Sequence, residues 1–188
     1  MFEEILTKVG AELEKQSFPY MIIGGQAVLL YGEPRLTRDI DITLGADSDR
    51  LNNLLPLIQE LHILPLPKDP FSFVQETMVL PCLDKSTGIR IDFIFSHSPY
   101  EAAAIARARK IRVKDQEVFF ATVEDVIIHK MFAGRPRDLE DVRILCLKNK
   151  EMDLAYIEKW LKEFDLLSES AGCLETFRRL KNPKRPPS

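Results

Sequence analysis

Arg38-Asp39-Ile40-Asp41-Ile42-Thr43-Leu44 decides how the rest of this 188-residue chain reads. Asp39 and Asp41 stand two residues apart inside an apolar run. On a strand, side chains alternate, so both carboxylates fall on one face and Ile40, Ile42 and Leu44 on the other. Two adjacent like charges on a half-buried strand repel, and folding alone gives little reason to keep them together. A divalent cation such as Mg²⁺ or Mn²⁺ removes that cost, because hard ions of this kind take one or two carboxylates together with substrate phosphates. Alone, the same pair also reads as an edge strand with a solvated face. Its surroundings carry the argument further.

Upstream, Tyr20-Met21-Ile22-Ile23 reads as a short strand that stops at Gly24-Gly25, and Gln26-Ala27-Val28-Leu29-Leu30-Tyr31 follows without a breaker until Gly32. A strand, a glycine pair and a helix N-terminus make an anion-binding corner, because glycine lets a phosphate reach backbone N–H groups and the helix end carries partial positive charge. Downstream, Gly88-Ile89-Arg90-Ile91-Asp92-Phe93-Ile94-Phe95 alternates: Ile89, Ile91, Phe93 and Phe95 face one way, Arg90 and Asp92 the other. Asp92 therefore shares a strand face with solvent or with a site.

Gly-Gly, thirteen intervening residues and then Asp-Ile-Asp resembles the active-site pattern of the DNA polymerase β-like nucleotidyltransferase superfamily, in which a third carboxylate comes from a later strand. Asp92 stands at that position. A second block, Val126-Ile127-Ile128-His129-Lys130-Met131-Phe132-Ala133-Gly134-Arg135-Pro136-Arg137-Asp138-Leu139-Glu140-Asp141-Val142, resembles the lysine helix and R-x-x-D segment of AbiEii-like nucleotidyltransferases, bacterial proteins that include toxin halves of abortive-infection and toxin–antitoxin systems. Arg35-Leu36-Thr37-Arg38-Asp39-Ile40-Asp41 is similar to the same group. Where many nucleotidyltransferases have Gly-Ser, this chain has Gly24-Gly25, so one hydroxyl contact to phosphate is missing.

The resemblance implies catalytic roles for Asp39, Asp41, Asp92, Lys130 and Asp138, metal binding by Asp39, Asp41 and Asp92, and nucleotide contacts from Gly24, Gly25, Arg38, Lys130 and Arg135. Lys130 is expected to reach the triphosphate as a point charge, with Arg135 or Arg137 sharing that role. Asp141 is expected to pair with a basic neighbour on the helix surface. The implied activity is transfer of a nucleoside monophosphate from an NTP to a hydroxyl acceptor, an RNA or tRNA end or a protein, in the presence of Mg²⁺ or Mn²⁺. An antitoxin protein is an implied partner. The reading from another class is a non-catalytic module that keeps the fold and binds nucleotide or a partner protein.

Composition agrees with a globular chain: 45% hydrophobic and 29% charged residues. Neither a run approaching the ~20 apolar residues of a membrane helix nor a basic leader at Met1-Phe2-Glu3-Glu4 is present, so a cytoplasmic protein without membrane contact is expected. Cys82, Cys146 and Cys173 are odd in number and far apart, and with His62, His97 and His129 they form no zinc spacing. The net charge of −3 argues against a generally basic nucleic-acid binder, although Arg107–Lys114 and the five cations of Arg178–Ser188 are local basic runs.

The expected fold is α/β (α+β): a small mixed sheet flanked by helices, with a C-terminal helical extension. A nucleotidyltransferase core over residues 1–121, a helical lobe packed on it over 122–181 and a basic flexible tail over 182–188 are expected. Periodicity predicts an amphipathic helix over 2–16, strand 20–24, helix 25–32 and strand 39–44. Asp47 or Ser48 caps a helix to about Leu61, and proline-rich 62–73 is a loop with a short strand. Strands Glu76–Leu83 and Ile89–Phe95 flank a hairpin connection, a helix covers Pro99–Arg107, and strands near 110–114 and 117–121 follow. Thr122 caps the Lys130 helix, which ends near Gly134; helices at 138–148, 154–164 and 171–181 complete the chain. The stripe Tyr156, Ile157, Trp160, Leu161 and Phe164 is expected to be core.

Overall fold

The computed structural model describes residues 1–34, 36–96, 98–167 and 172–182. The chain divides into two compact units. The first contains Met1–Gln26 and Leu36–Ala121; the second contains Ala27–Arg35 and Thr122–Ser188.

The first unit is built on a mixed sheet, seven-stranded among the described residues, with the order β3-β4-β5-β2-β1-β7-β6. Its strands are β1 Tyr20–Ile23, β2 Asp39–Gly45, β3 Ile63–Pro65, β4 Val79–Asp84, β5 Arg90–Ser96, β6 Arg109–Val113 and β7 Gln116–Phe120. β2 lies near the centre, antiparallel to β1 and parallel to β5. Ile40, Ile42, Leu44, Ile91, Phe93 and Phe95, all buried, fill one face. Helix α1, Phe2–Lys15, contributes Ile5, Leu6, Val9 and Leu13 to the core of the unit. Gly10 lets it approach closely, since a Cβ there would lie 2.6 Å from Tyr20 Oη and 3.5 Å from Val118. Helix α5, Pro99–Arg107, reaches β2, where Gly45 meets Ile105.

The alternation expected of residues 39–44 and 89–95 is present, and so is the hairpin joining β4 to β5. Asp84 organises that turn: its Oδ2 accepts from Ser86 Oγ, Thr87 N and Thr87 Oγ1. Residues 47–61 fold as a 3-10 turn, Ser48–Arg50, capped by Asp47, followed by α3, Leu51–Glu60. Only part of 62–73 behaves as expected. β3 is there, but Pro70–Thr77 forms helix α4 and the next strand starts at Val79 instead of Glu76. Pro70 occupies the first helical position, where the missing N–H costs nothing, and Asp69 caps the turn by accepting from Phe71 N and Ser72 N.

The second unit is helical: α6 Val123–Ala133, α7 Pro136–Lys148, α8 Leu154–Leu167 and α9 Cys173–Lys181, joined by the later residues of α2, Gly24–Tyr31. Thr122 caps α6 by accepting from Asp125 N, and Gly134, at φ +62°, closes it. Val142, Leu145, Ile157, Trp160, Leu161 and Phe177 are buried, so the aromatic stripe of α8 is largely core, as expected. Lys148 Nζ donates to Gly32 O and Asn149 Nδ2 to Tyr31 O, tying the end of α7 to the last residue of α2 and the one after it. Cys82, Cys146 and Cys173 are free thiols. The tail from Pro183 onward, and His97, lie outside the described residues.

Candidate active site

Strand register brings two of the three expected carboxylates side by side. In the parallel ladder Asp41 is opposite Asp92, Asp39 is opposite Arg90, and on the other side Asp41 faces Ile23. Asp39, Asp41 and Thr43 share the face opposite Ile40, Ile42 and Leu44. Each carboxylate has its own setting. Thr37 Oγ1 lies 3.2 Å from Asp39 Oδ1 and 3.3 Å from Asp39 O, so a hydroxyl donor steadies Asp39 just before the strand begins. Asp92 Oδ1 accepts from Arg90 Nε at 2.8 Å. Among the described residues no group of three or more His, Cys, Asp or Glu side chains converges to hold a metal; Arg90 already engages Asp92.

Asp41 lies against the glycine corner. Gly24 opens α2 at φ +63°, and a Cβ built on it would stand 1.8 Å from Asp41 Oδ2 and 2.7 Å from its Cγ. No side chain fits there. The carboxylate occupies the space a side chain would take, so an anion at the helix N-terminus and a cation on Asp41 would be immediate neighbours. Two further polar atoms in this unit, Gln26 Nε2 in the first turn of α2 and Thr43 Oγ1, are buried without a hydrogen-bond partner among the described residues. Arg38 is exposed.

Residues 1–180 match a family model described as a nucleotidyltransferase of unknown function (DUF6036). The chain belongs to that nucleotidyltransferase family. Among curated proteins none matches it by sequence. Solved structures share the fold. The chain is similar to ANT(2″)-Ia in complex with adenylyl-2″-tobramycin, with a TM-score of 0.60, 17% identity, and coverage of 88% of this chain and 97% of that one. It is also similar to an antigenic nucleotidyltransferase-like protein from Paracoccidioides brasiliensis, with a TM-score of 0.58, 12% identity, and coverage of 94% and 91%.

The second unit of this nucleotidyltransferase carries the remaining candidates. Lys130 is buried, 8% exposed, with Nζ 2.6 Å from Asp138 Oδ1 and 3.0 Å from Asp141 Oδ2. Arg135 joins from the outside: Nε donates to Asp138 Oδ2 at 2.5 Å and Nη2 to Oδ1 at 3.4 Å. Burial pushes the Asp138 carboxyl up, but hydrogen bonds from Arg135 and Lys130 outweigh it and hold the group below the usual carboxylate range. Asp141 is buried beside Lys130, not on the helix surface as expected. The signal was in the sequence: Asp138 and Asp141 are three apart on one helix and so share a face.

Asp125, which the capping pattern places in the first turn of α6, has a burial and a Tyr156 partner that the sequence did not indicate. Asp125 is fully buried, its Oδ2 accepting from Thr122 Oγ1 at 2.7 Å and its Oδ1 from Tyr156 Oη at 2.9 Å. Glu124 Oε1 accepts from Asp153 N at 2.9 Å, which fixes the start of α8. Burial pushes the His129 imidazole down to about 4.

Proposed function

We propose that this chain transfers a nucleoside monophosphate from an NTP to a hydroxyl acceptor. The supporting observation is the Asp41 carboxylate, flanked in register by Asp92 and packed on Gly24 at the start of α2. Asp39 and Asp41 offer the hard oxygen donors that Mg²⁺ or Mn²⁺ takes, and a cation held by one or two carboxylates completes its shell with phosphate and water oxygens. The residues fit such an ion without a closed cage. When bound, the cation offsets the charge that builds on the phosphate oxygens.

The chain's own groups do the rest. Backbone N–H groups at Gly24-Gly25 orient the phosphates. Asp92, once turned from Arg90, orients the acceptor hydroxyl and accepts its proton. Its larger contribution is to position the acceptor. The acceptor oxygen attacks the α-phosphorus, the bond from that phosphorus to the β-phosphate oxygen breaks, and pyrophosphate leaves. The resemblance to AbiEii-like proteins favours an RNA or tRNA end or a protein as acceptor, in a toxin–antitoxin or phage-defence setting with an antitoxin partner, and a cytoplasmic location. The pairing of Asp92 with Arg90 favours a second reading, nucleotide binding without turnover.

Titration with ATP, with and without Mg²⁺, tests the shared part of both readings. The unaltered chain should bind ATP more tightly with Mg²⁺, whereas Asp39→Asn/Asp41→Asn should show no Mg²⁺ effect. Equal binding by both proteins under both conditions would exclude the assigned carboxylates.

A further inference from the structure

Three carboxylates and one guanidinium share a single face of the sheet in the first unit. Parallel pairing sets Arg90 beside Asp39 and Asp92 beside Asp41, so all four side chains leave the sheet on the same side. Arg90 Nε donates to Asp92 Oδ1 at 2.8 Å, and the charges of Asp39 and Asp41 also reach its guanidinium. An exposed ion pair ordinarily contributes little to stability. Here the acid is a strand carboxylate only 18% exposed, with two more of the same sign on its face. The four side chains together carry a net charge of −2 with Arg90 and −3 without it. The guanidinium therefore offsets a repulsion that the sheet face would otherwise hold.

A divalent cation on Asp39 and Asp41 meets Arg90 in two ways. The two positive charges repel, and both draw on the negative charge of Asp92. A hard ion gains from each further carboxylate oxygen, whereas Arg90 already holds one oxygen of Asp92. We infer that Arg90 is a positioning residue, the resident counter-cation of this face, and that its hold on Asp92 and the binding of a divalent cation at Asp39 and Asp41 oppose each other. The inference rests on the reading above, which assigns the cation to those two carboxylates. It also deepens that reading. Coupling of this kind is reciprocal: if Arg90 weakens the ion by some factor, the ion loosens Arg90 from Asp92 by the same factor. Release of Asp92 is the movement that its role at the acceptor hydroxyl requires, and the ion itself drives it.

The test titrates the full chain with Mn²⁺ alone, reading free ion by electron paramagnetic resonance, beside thermal melts in EDTA and in saturating Mn²⁺. Arg90→Gln should bind Mn²⁺ about tenfold more tightly than the parent, the scale of one unit charge beside a partly exposed ion site. Its melting temperature should fall in EDTA, where Asp39, Asp41 and Asp92 repel without a counter-cation, and return to the parent's in Mn²⁺. Arg90→Lys keeps the charge and a donor, so its Mn²⁺ affinity should stay close to the parent's. Arg90→Gln/Asp92→Asn restores the net charge and should lose most of the gain. Equal Mn²⁺ affinity in Arg90→Gln and the parent overturns the inference, and so does a gain kept in full when Asp92→Asn is added. A melting temperature lowered equally in EDTA and in Mn²⁺ marks an ordinary structural ion pair and overturns it too. Asp39→Asn/Asp41→Asn keeps the two readings apart: it should lose Mn²⁺ binding. If it binds as tightly as the parent, the cation assignment above fails, and the inference with it, whatever Arg90→Gln does.

Discussion

Gly24→Ala is the substitution whose outcome follows most directly from the geometry. Two penalties add. At φ +63° an alanine adopts the left-handed conformation, at a cost of about 1–2 kcal/mol. Its Cβ would also stand 1.8 Å from Asp41 Oδ2, and relieving that to the 3.4 Å of ordinary contact moves the carboxylate by about 1.6 Å. A misplacement near 1 Å at a reacting centre costs roughly a hundredfold in rate, so nucleotidyl transfer should fall by about that factor or more. Gly88→Ala is the matched control: its φ is +71° and nothing lies within 4 Å of a Cβ there. It should lose only the backbone term, about 2–8 °C in melting temperature for a chain of this size, with transfer unchanged. The assay is initial transfer rate beside a thermal melt for both variants. Equal loss of activity in the two, or transfer within about threefold of the parent in Gly24→Ala, would refute the placement of Asp41 in the chemistry.

His129 and Asp125 give predictions about stability. The His129 imidazole titrates at about 4 when folded and 6.5 when unfolded, so its contribution is complete above pH 6.5. Below that pH the unfolded chain takes up a proton that the folded chain does not, and by pH 5 about 2 kcal/mol is lost. The melting temperature should therefore drop by about 4–8 °C more between pH 7 and pH 5 in the parent than in His129→Gln; parallel drops would contradict the assignment. Tyr156→Phe removes the 2.9 Å hydrogen bond to buried Asp125. Denaturant unfolding should show a loss of about 1.5–3 kcal/mol with an unchanged m-value.

Local features were legible where a side-chain period or a turn residue carries them. The alternation of 39–44 and 89–95, the Thr122 cap and the Gly134 stop all stand where periodicity and capping chemistry place them. Helix α4 was hidden because Pro65, Pro67 and Pro70 read as loop, although a proline at the first helical position after an aspartate cap is compatible with a helix. Partner choice was less visible. Nothing in a local window says that Asp41 pairs with Asp92 in parallel register, or that Arg90 turns onto Asp92. Family resemblance implied a third carboxylate at Asp92 on a later strand but not its partner or register, and was silent on Arg90. The contact of Tyr156 with Asp125 joins residues 31 positions apart, on a helix whose stripe reads simply as core. The burial of Lys130 was half legible, since apolar residues surround it in sequence, but its two carboxylates come from the next helix.

The most direct test of the central claim is incubation of the chain with each of four α-³²P-labelled NTPs, Mg²⁺, bacterial RNA and protein, beside Asp39→Asn/Asp41→Asn. The account predicts label in RNA or protein with the unaltered chain and none with the variant, which also identifies the nucleotide and the class of acceptor. Label transferred equally by the variant would contradict it, and no label from a chain that binds ATP would leave the binding module as the reading that stands.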